Sequence, residues 1–338
     1  MLIVMRNDAT DQQIDLVMAK IKNKGFTPLP LPGTQRTAIG VVGNESRIDS
    51  SEFEILEGIK EIIHVSKPYK LAGREFFRND TIINVEGVSI GGRNFTVIAG
   101  PCSVESREQI IKTAELVKIS GAGLLRGGAF KPRTGPYSFQ GLGKEGLEYL
   151  EEAKKISGMP IVTELMHLKY LDLVMEYADV IQVGARNMQN YDLLQELGAI
   201  KKPVLLKRGM AATMEEFLLA AEYILNGGNK NVILCERGIR TFERSTRNTL
   251  DLSIVSLIRE LSHLPVIVDP SHGTGRRSLV APMSFASMAC GASGLMLEVH
   301  PDPKNAVSDA AQSITPEEFA EIMSKLKSMA MIFDKICP

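Results

Sequence analysis

The sequence predicts a (β/α)8 barrel preceded by a small α+β unit of ferredoxin-like βαββαβ order. Two observations carry the barrel. From Phe95 onward, short apolar runs start near residues 95, 122, 160, 179, 202, 231, 265 and 293, and helical patterns separate most of them. Most of these runs end in a charged or metal-capable side chain. FTVIAGPC ends at Cys102, AGLLR at Arg126, VIQVGAR at Arg186 and PVLLK at Lys207; VILCER ends at Arg237, PVIVDPSH at His272 and GLMLEVH at Glu298. The third observation concerns residues 1–66, where strand and helix patterns alternate in a different order.

That first segment is expected to be a separate domain. LIVM reads as a strand. Ile14, Val17, Met18 and Ile21 follow at helical spacing, and Gly25 punctuates the end. FTPLPLP is extended, and its prolines Pro30 and Pro32 confine it to an edge or a short extent. TAIGVVG reads as a strand. Ser51 and Glu54 have the spacing of a capping box for a helix carrying Ile55, Ile59 and Ile62, and IIHVS closes the unit. Such a βαββαβ unit leaves one sheet face open. Residues 67–80 read as a linker, and 81–338 as the barrel domain, introduced by a hairpin TIINV-EG-VSIGG.

Within the barrel region the strands are continuously apolar, as parallel strands covered on both faces should be. Ser106 with Gln109, Thr213 with Glu216, and Thr315-Pro316 with Glu318 mark helix starts. The length available, roughly 240 residues, fits a barrel of about 250. A doubly wound open sheet is the alternative, but no GxGxxG follows the first strand, which counts against a dinucleotide fold.

Composition narrows the function classes. The chain has 338 residues, 44% of them hydrophobic, and a formal net charge of −1. No global charge favours nucleic acid or an anionic membrane, so an anion site must be local. Cys102, Cys235, Cys290 and Cys337 are widely spaced, with no CxxC and no secretory context. The first apolar run, Met1–Met5, is too short for a signal segment or a membrane span. A cytoplasmic protein is expected.

Catalytic groups of a barrel sit on one rim, at the C-terminal ends of the strands. Arg126, Arg186, Lys207 and Arg237 would share that rim, with Lys131 in a nearby loop. Five cations without obvious carboxylate partners are costly unless a multiply charged anion binds among them. Any single one could equally be a surface cation paired with solvent or with Asp or Glu. Cys102, His272, Glu298 and Asp309 come from the first, seventh and eighth strands and the loop after the eighth, which adjoin in a closed barrel. A thiolate, an imidazole and two carboxylates suit Mn²⁺, Fe²⁺, Co²⁺ or Zn²⁺, unlike an all-sulfur structural zinc site. A buried cysteine beside unrelated polar residues remains the alternative. Lys131-Pro132-Arg133-Thr134 makes a stiff loop suited to a phosphate. His64, His167 and His263 read as non-functional.

Seven motifs in order carry a resemblance. IAGPCSVES, LRGGAFKPRTGPYSFQGLG, QVGARNMQN, LLKRGM, CERGIRTF, VIVDPSHGTGRR and LEVHPDPKNAVSDAAQS resemble 3-deoxy-D-arabino-heptulosonate 7-phosphate (DAHP) synthase, over about residues 80–338. The resemblance is to the type I beta subfamily with an N-terminal ferredoxin-like regulatory domain. It implies condensation of phosphoenolpyruvate with erythrose 4-phosphate, at the entry to the shikimate pathway and chorismate biosynthesis. It implies that Cys102, His272, Glu298 and Asp309 are metal ligands. Arg126, Lys131, Ala185, Arg186, Lys207 and Arg237 match the phosphoenolpyruvate site, and Lys131, Pro132, Arg133 and Thr134 the erythrose 4-phosphate contacts. Asp269 matches a polar group near the metal and substrate hydroxyls. Lys131, Cys102, His272 and Asp269 are the expected catalytic set. Tyrosine or phenylalanine is the implied effector, and a homotetramer the implied assembly.

The main rival is 3-deoxy-D-manno-octulosonate 8-phosphate synthase, which uses arabinose 5-phosphate and typically reads KANRS where this chain has KPRT. A rival of another class is a catalytically silent barrel that senses aromatic amino acids through residues 1–66. The intact metal and cation sets argue against it.

Overall fold

The computed structural model describes the whole chain except residues 33–36, 44–47, 64–66, 132–134, 136 and 338. The chain divides into two compact units, Met1–Arg78 and Asn79–Pro338.

The first unit holds β1 (Leu2–Met5), α1 (Asp11–Asn23), β2 (Thr27–Pro32), β3 (Thr37–Val42), α2 (Ser51–Glu54) and β4 (Ile59–Ile63). Their order in the antiparallel sheet is β2-β3-β1-β4, so the proline-bearing β2 is an edge strand as expected. Thr10 and Gln13 form a capping box that starts α1. Its buried residues Val17 and Ile21 pack with Ile3, Met5, Ile39 and Phe53 on one sheet face. The opposite face, expected open, is covered. Leu71, Phe76 and Phe77, from the stretch read as linker, pack on Leu2, Val4, Leu29 and Val42. The second helix also differs from expectation. It is a single turn without a side-chain cap, and Ser50 instead donates to the Glu54 carboxylate at 2.6 Å. Gly58, at φ +87°, turns the chain so that Ile59 and Ile62 lie in β4, paired with β1.

The second unit opens with the hairpin of β5 (Ile83–Val85) and β6 (Val88–Ile90). Glu86 and Gly87 both have positive φ, +47° and +90°, as the tight primed turn requires. Glutamate is a poor residue there, and the Asn84 side chain, accepting from the Gly87 N–H at 3.0 Å, supports the turn.

Eight strands follow: β7 (Thr96–Gly100), β8 (Leu124–Arg126), β9 (Ile161–Glu164), β10 (Val180–Val183), β11 (Val204–Lys207), β12 (Val232–Glu236), β13 (Val266–Val268) and β14 (Gly294–Glu298). They form a closed parallel barrel in chain order, β14 pairing with β7. The principal intervening helices are α3 (Arg107–Ile119), α4 (Lys144–Ser157), α5 (Leu171–Tyr177), α6 (Tyr191–Ala199), α7 (Met214–Asn226), α8 (Ser253–Leu261), α9 (Pro270–Thr274), α10 (Arg277–Ala289) and α11 (Pro316–Ala330). Ser106, Thr213 and Thr315 cap α3, α7 and α11 as the spacing predicts. The hairpin's Ile83, Val85 and Ile90 join Ile98, Leu124, Val162, Leu205, Ile233, Ile267 and Met296 in one buried cluster. Each such side chain contributes about 1.5–3 kcal/mol on burial. The hairpin therefore adds apolar packing to the barrel core, and the polar groups collect at the strands' C-terminal tips.

Candidate active site

The strand tips place eight of the candidate residues in the lining of one cleft of about 380 Å³, namely Arg126, Lys131, Ala185, Arg186, Lys207, Arg237, His272 and Asp309, while Cys102, Asp269 and Glu298 are buried and do not line it. Arg126 and Lys207 are the last residues of β8 and β11, and Glu298 is the last of β14. Cys102 follows β7 by two residues. Arg237 immediately follows β12, and Ala185 and Arg186 lie in a short 3-10 turn after β10. The seventh strand is shorter than its apolar run suggests. It stops at Val268, and Asp269 caps α9, accepting from the His272 N–H at 2.9 Å. His272 is thus presented by a helical turn.

The ligand atoms of Cys102, His272, Glu298 and Asp309 all lie within 4.8 Å of one another. His272 Nδ1 is 2.7 Å from Asp269 Oδ2, while Nε2 faces Glu298 Oε1 at 3.2 Å. A carboxylate on one ring nitrogen leaves the other presented as a ligand. Burial holds the His272 pKa below its ordinary value, which favours the neutral, ligating form. Burial also pushes the Cys102 thiol up to about 12, Glu298 adding to the effect. The thiol donates to Asp309 Oδ2 at 3.0 Å and accepts from Lys131 Nζ at 3.0 Å. Burial would raise Glu298 and Asp309, but His272 and neighbouring cations outweigh it and keep both below the usual carboxylate range. A soft sulfur, one imidazole and two ionised carboxylates converging on a point fit a divalent transition metal. The fully buried Glu298 is secured on both sides, by Arg126 Nη1 at 3.0 Å and Gln312 Nε2 at 2.6 Å.

Lys131 is held by the Cys102 carbonyl and sulfur, and the other four cations are of two kinds. The sequence shows no carboxylate partners for the five, but two have them. Arg126 pairs with Glu298, and Lys207 Nζ donates to Asp269 Oδ2 at 2.6 Å. Asp269 is completely buried; His272 and Lys207 outweigh that burial and hold it well below the usual range. The other kind has no such partner. Among the described residues no carboxylate lies within ion-pair distance of Arg186 or Arg237. Arg237 is 5% exposed, and among the described residues its side chain donates only from Nη1 to the Gly238 carbonyl, at 3.3 Å. Burial pulls its guanidinium below its ordinary pKa. A desolvated guanidinium facing a cleft without a counter-ion is an anion receptor.

Pro132, Arg133 and Thr134 lie outside the described residues, as does His64. His263 pairs with Thr81 Oγ1 at 2.7 Å, and His167 caps the Lys169 N–H at 3.1 Å, both structural roles. Sequence reasoning missed Glu164, Gln182, Arg240 and Arg247 in the lining. Glu164 ends an apolar run, IVTE, just as the chosen residues do, so the signal was present. It accepts from Gln182 Nε2 at 3.1 Å, and a Cβ at Gly184 would stand 2.2 Å from its Oε1. Arg247 Nη1 donates to Asp309 Oδ1 at 3.0 Å and to Gln312 Oε1 at 2.9 Å. Nothing in the loop sequence RSTRN announces that contact.

Residues 79–333 match the DAHP synthetase I family, and residues 1–67 the DAHP synthase ferredoxin-like domain. The phospho-2-dehydro-3-deoxyheptonate aldolase of Thermotoga maritima is 51% identical over 330 residues, covering 98% of each chain. Its crystal structure superposes with a TM-score of 0.79 at 50% identity, over 99% of this chain and 98% of that one. A truncated form of the Thermotoga synthase covers 79% of this chain and 98% of its own, with a TM-score of 0.75 at 52% identity. The 2-dehydro-3-deoxyphosphooctonate aldolase of Geobacter sulfurreducens is more distant, 30% identical over 269 residues, covering 74% of this chain and 98% of its own. The chain belongs to the DAHP synthetase I family, as an enzyme whose barrel follows a ferredoxin-like domain.

Proposed function

We propose that the cleft condenses phosphoenolpyruvate with erythrose 4-phosphate and water, releasing phosphate, with the residues in the following roles. The observation that carries this is the buried Arg237, without a carboxylate partner among the described residues, lining the same cleft as His272 and Asp309 of the Cys102–His272–Glu298–Asp309 cluster. Phosphoenolpyruvate carries a phosphate and a carboxylate close together. Arg186 and Arg237 hold its oxygens with bidentate forks, and Lys207 adds a point charge. Arg126 and Ala185 complete that half of the cleft. Lys131 and the Pro132-Arg133-Thr134 segment take the aldehyde phosphate. Holding both substrates aims C3 of the enol at the aldehyde carbon. A divalent ion of the Mn, Fe, Co or Zn class, held by Cys102, His272, Glu298 and Asp309, supplies Lewis acidity beside the reacting oxygens. Lys131 Nζ, 2.9 Å from the Cys102 carbonyl and 3.0 Å from its sulfur, is a buried ammonium between the two halves and the proton donor of this scheme. Asp269 holds Lys207 and His272 together and so fixes the spacing of anion site and metal.

The aldehyde is tested by phosphate release with erythrose 4-phosphate and arabinose 5-phosphate in parallel. Turnover with the first and little with the second is expected, in line with 51% against 30% identity to the two kinds of relative. Preference for arabinose 5-phosphate would overturn the assignment, and no release with either would favour the sensor reading.

The reading extends to regulation. Residues 1–67 match a family domain, and all the candidate residues lie in the second unit. We assign the first unit to binding tyrosine or phenylalanine, in a cytoplasmic homotetramer. An effector inhibits only if it binds one arrangement of the units better than another. Among the described residues, no helix is long and apolar enough to cross a membrane.

A further inference from the structure

Asp309 stands apart from the other three ligands of the proposed metal site. Cys102 lies just beyond β7, His272 is on α9, and Glu298 ends β14. Asp309 lies on the loop between β14 and α11, which holds two short 3-10 turns, Pro303–Asn305 and Ala310–Gln312. Its own backbone is at φ +52°, a left-handed conformation that a non-glycine residue rarely adopts. Aspartate tolerates it better than most residues, and the surroundings support it here.

The surroundings are the segment that follows Cys102. Ser103 Oγ meets Ser308 Oγ, both side chains being buried. The Glu105 carboxylate spans the rest of the loop. Its Oε1 accepts from the Val307 N–H at 2.9 Å, and its Oε2 is 3.2 Å from His300 Nε2. His300 Nδ1 accepts from the Asp302 N–H at 3.0 Å, which places the ring proton on Nε2, facing Glu105. Glu105 is itself anchored. Gln109, in the first turn of α3, accepts from the Glu105 N–H at 3.3 Å and donates to the Ser103 carbonyl at 3.2 Å. The chain of contacts from α3 to the loop that carries Asp309 is therefore continuous, with the Glu105 carboxylate at its centre.

We propose that Glu105 is a positioning residue for the metal site, clasping the loop after β14 so that Asp309 reaches the ion. This rests on the assignment of Asp309 as a ligand. Glu105 is neither in the cleft lining nor in the ligand cluster; it acts through residues 300–309. Carboxylates that orient metal ligands typically change affinity by about 10–100-fold when removed.

The experiment titrates Co²⁺ into the full-length protein against a competing chelator and records the thiolate-to-cobalt charge-transfer band together with the ligand-field bands. Wild type should bind one Co²⁺ with a thiolate band. If it does not, the metal-site assignment fails and the clasp with it. Given wild-type binding, Glu105→Ala should weaken affinity by about 10–100-fold and shift the ligand-field bands while keeping the thiolate band. Glu105→Gln should fall between, since one amide cannot accept from both Val307 N and His300 Nε2. Asp309→Ala and Glu105→Ala combined should lose no more than Asp309→Ala alone, because both act at one ligand. Wild-type affinity and spectrum in Glu105→Ala would overturn the clasp. Additive losses in the double variant would do the same, marking Glu105 as a structural support unconnected with Asp309. If Glu105→Ala does not fold, Ser308→Ala removes the neighbouring rung alone and should weaken Co²⁺ several-fold. An unchanged affinity there, together with wild-type binding by Glu105→Gln, would also overturn it.

Discussion

Asp269→Asn is the most informative single substitution. The carboxylate is fully buried and accepts three hydrogen bonds, from Lys207 Nζ at 2.6 Å, His272 Nδ1 at 2.7 Å and the His272 N–H at 2.9 Å. An amide of the same shape has one accepting oxygen and a nitrogen that only donates. If the oxygen keeps the His272 backbone, the nitrogen opposes Lys207 and the imidazole. Lys207, 4% exposed, is then a buried charge without its counter-ion. Breaking a buried pair costs about 3–5 kcal/mol, and the retained backbone bond puts this case near 3. For a barrel of this size Tm should fall by about 6–12 °C. His272 also loses the partner that orients it, so metal affinity should drop about 10–100-fold. The assays are thermal unfolding of the metal-free protein and Co²⁺ competition titration. A variant with the wild-type Tm and the wild-type Co²⁺ affinity would refute the view that Asp269 ties the anion site to the metal site.

Three further outcomes follow from the same geometry. Cys102→Ser should lose most activity and most metal affinity, because an alcohol is a poor anionic ligand near neutral pH; a fully active, metal-free variant would contradict the ligand assignment. Arg186→Lys should weaken phosphoenolpyruvate more than erythrose 4-phosphate, and Arg133→Ala the reverse, since an ammonium cannot replace a two-pronged fork; equal losses for both substrates in initial-rate kinetics would remove the distinction. Deleting residues 1–78, one compact unit, should leave an active barrel that ignores tyrosine, whereas inhibition with unchanged potency would place the effector site in the barrel.

The barrel was legible because each buried parallel strand is a short apolar run, and because the rim groups sit at or just beyond the ends of such runs. The four proposed ligands and five cations were found from that rule and from family motifs. What the sequence hid was pairing across the rim. Asp269 and Lys207 are 62 positions apart, one just beyond β13 and the other at the end of β11, with β12 between these strands, and no linear pattern relates them. The bridge from Arg247 to Asp309 joins two irregular loops and was equally invisible. In the first unit, Ile55, Ile59 and Ile62 fit a helical period, yet the helix stops at Glu54 and Gly58, at positive φ, turns the chain into β4. Strand pairing with β1 decides the fate of Ile59 and Ile62 where local periodicity is ambiguous. The role of residues 67–78 was hidden for a related reason, since Phe76 and Phe77 carry no periodic signal.

The most direct test of the whole account is an anomalous diffraction experiment on crystals grown with Mn²⁺ and phosphoenolpyruvate. One strong anomalous peak is expected in the cleft, within coordination distance of Cys102 Sγ, His272 Nε2 and carboxylate oxygens of Glu298 and Asp309. Phosphoenolpyruvate oxygens should lie within hydrogen-bond distance of Arg186 and Arg237. An anomalous peak away from these four residues, or phosphoenolpyruvate bound without contact to Arg237, would contradict it.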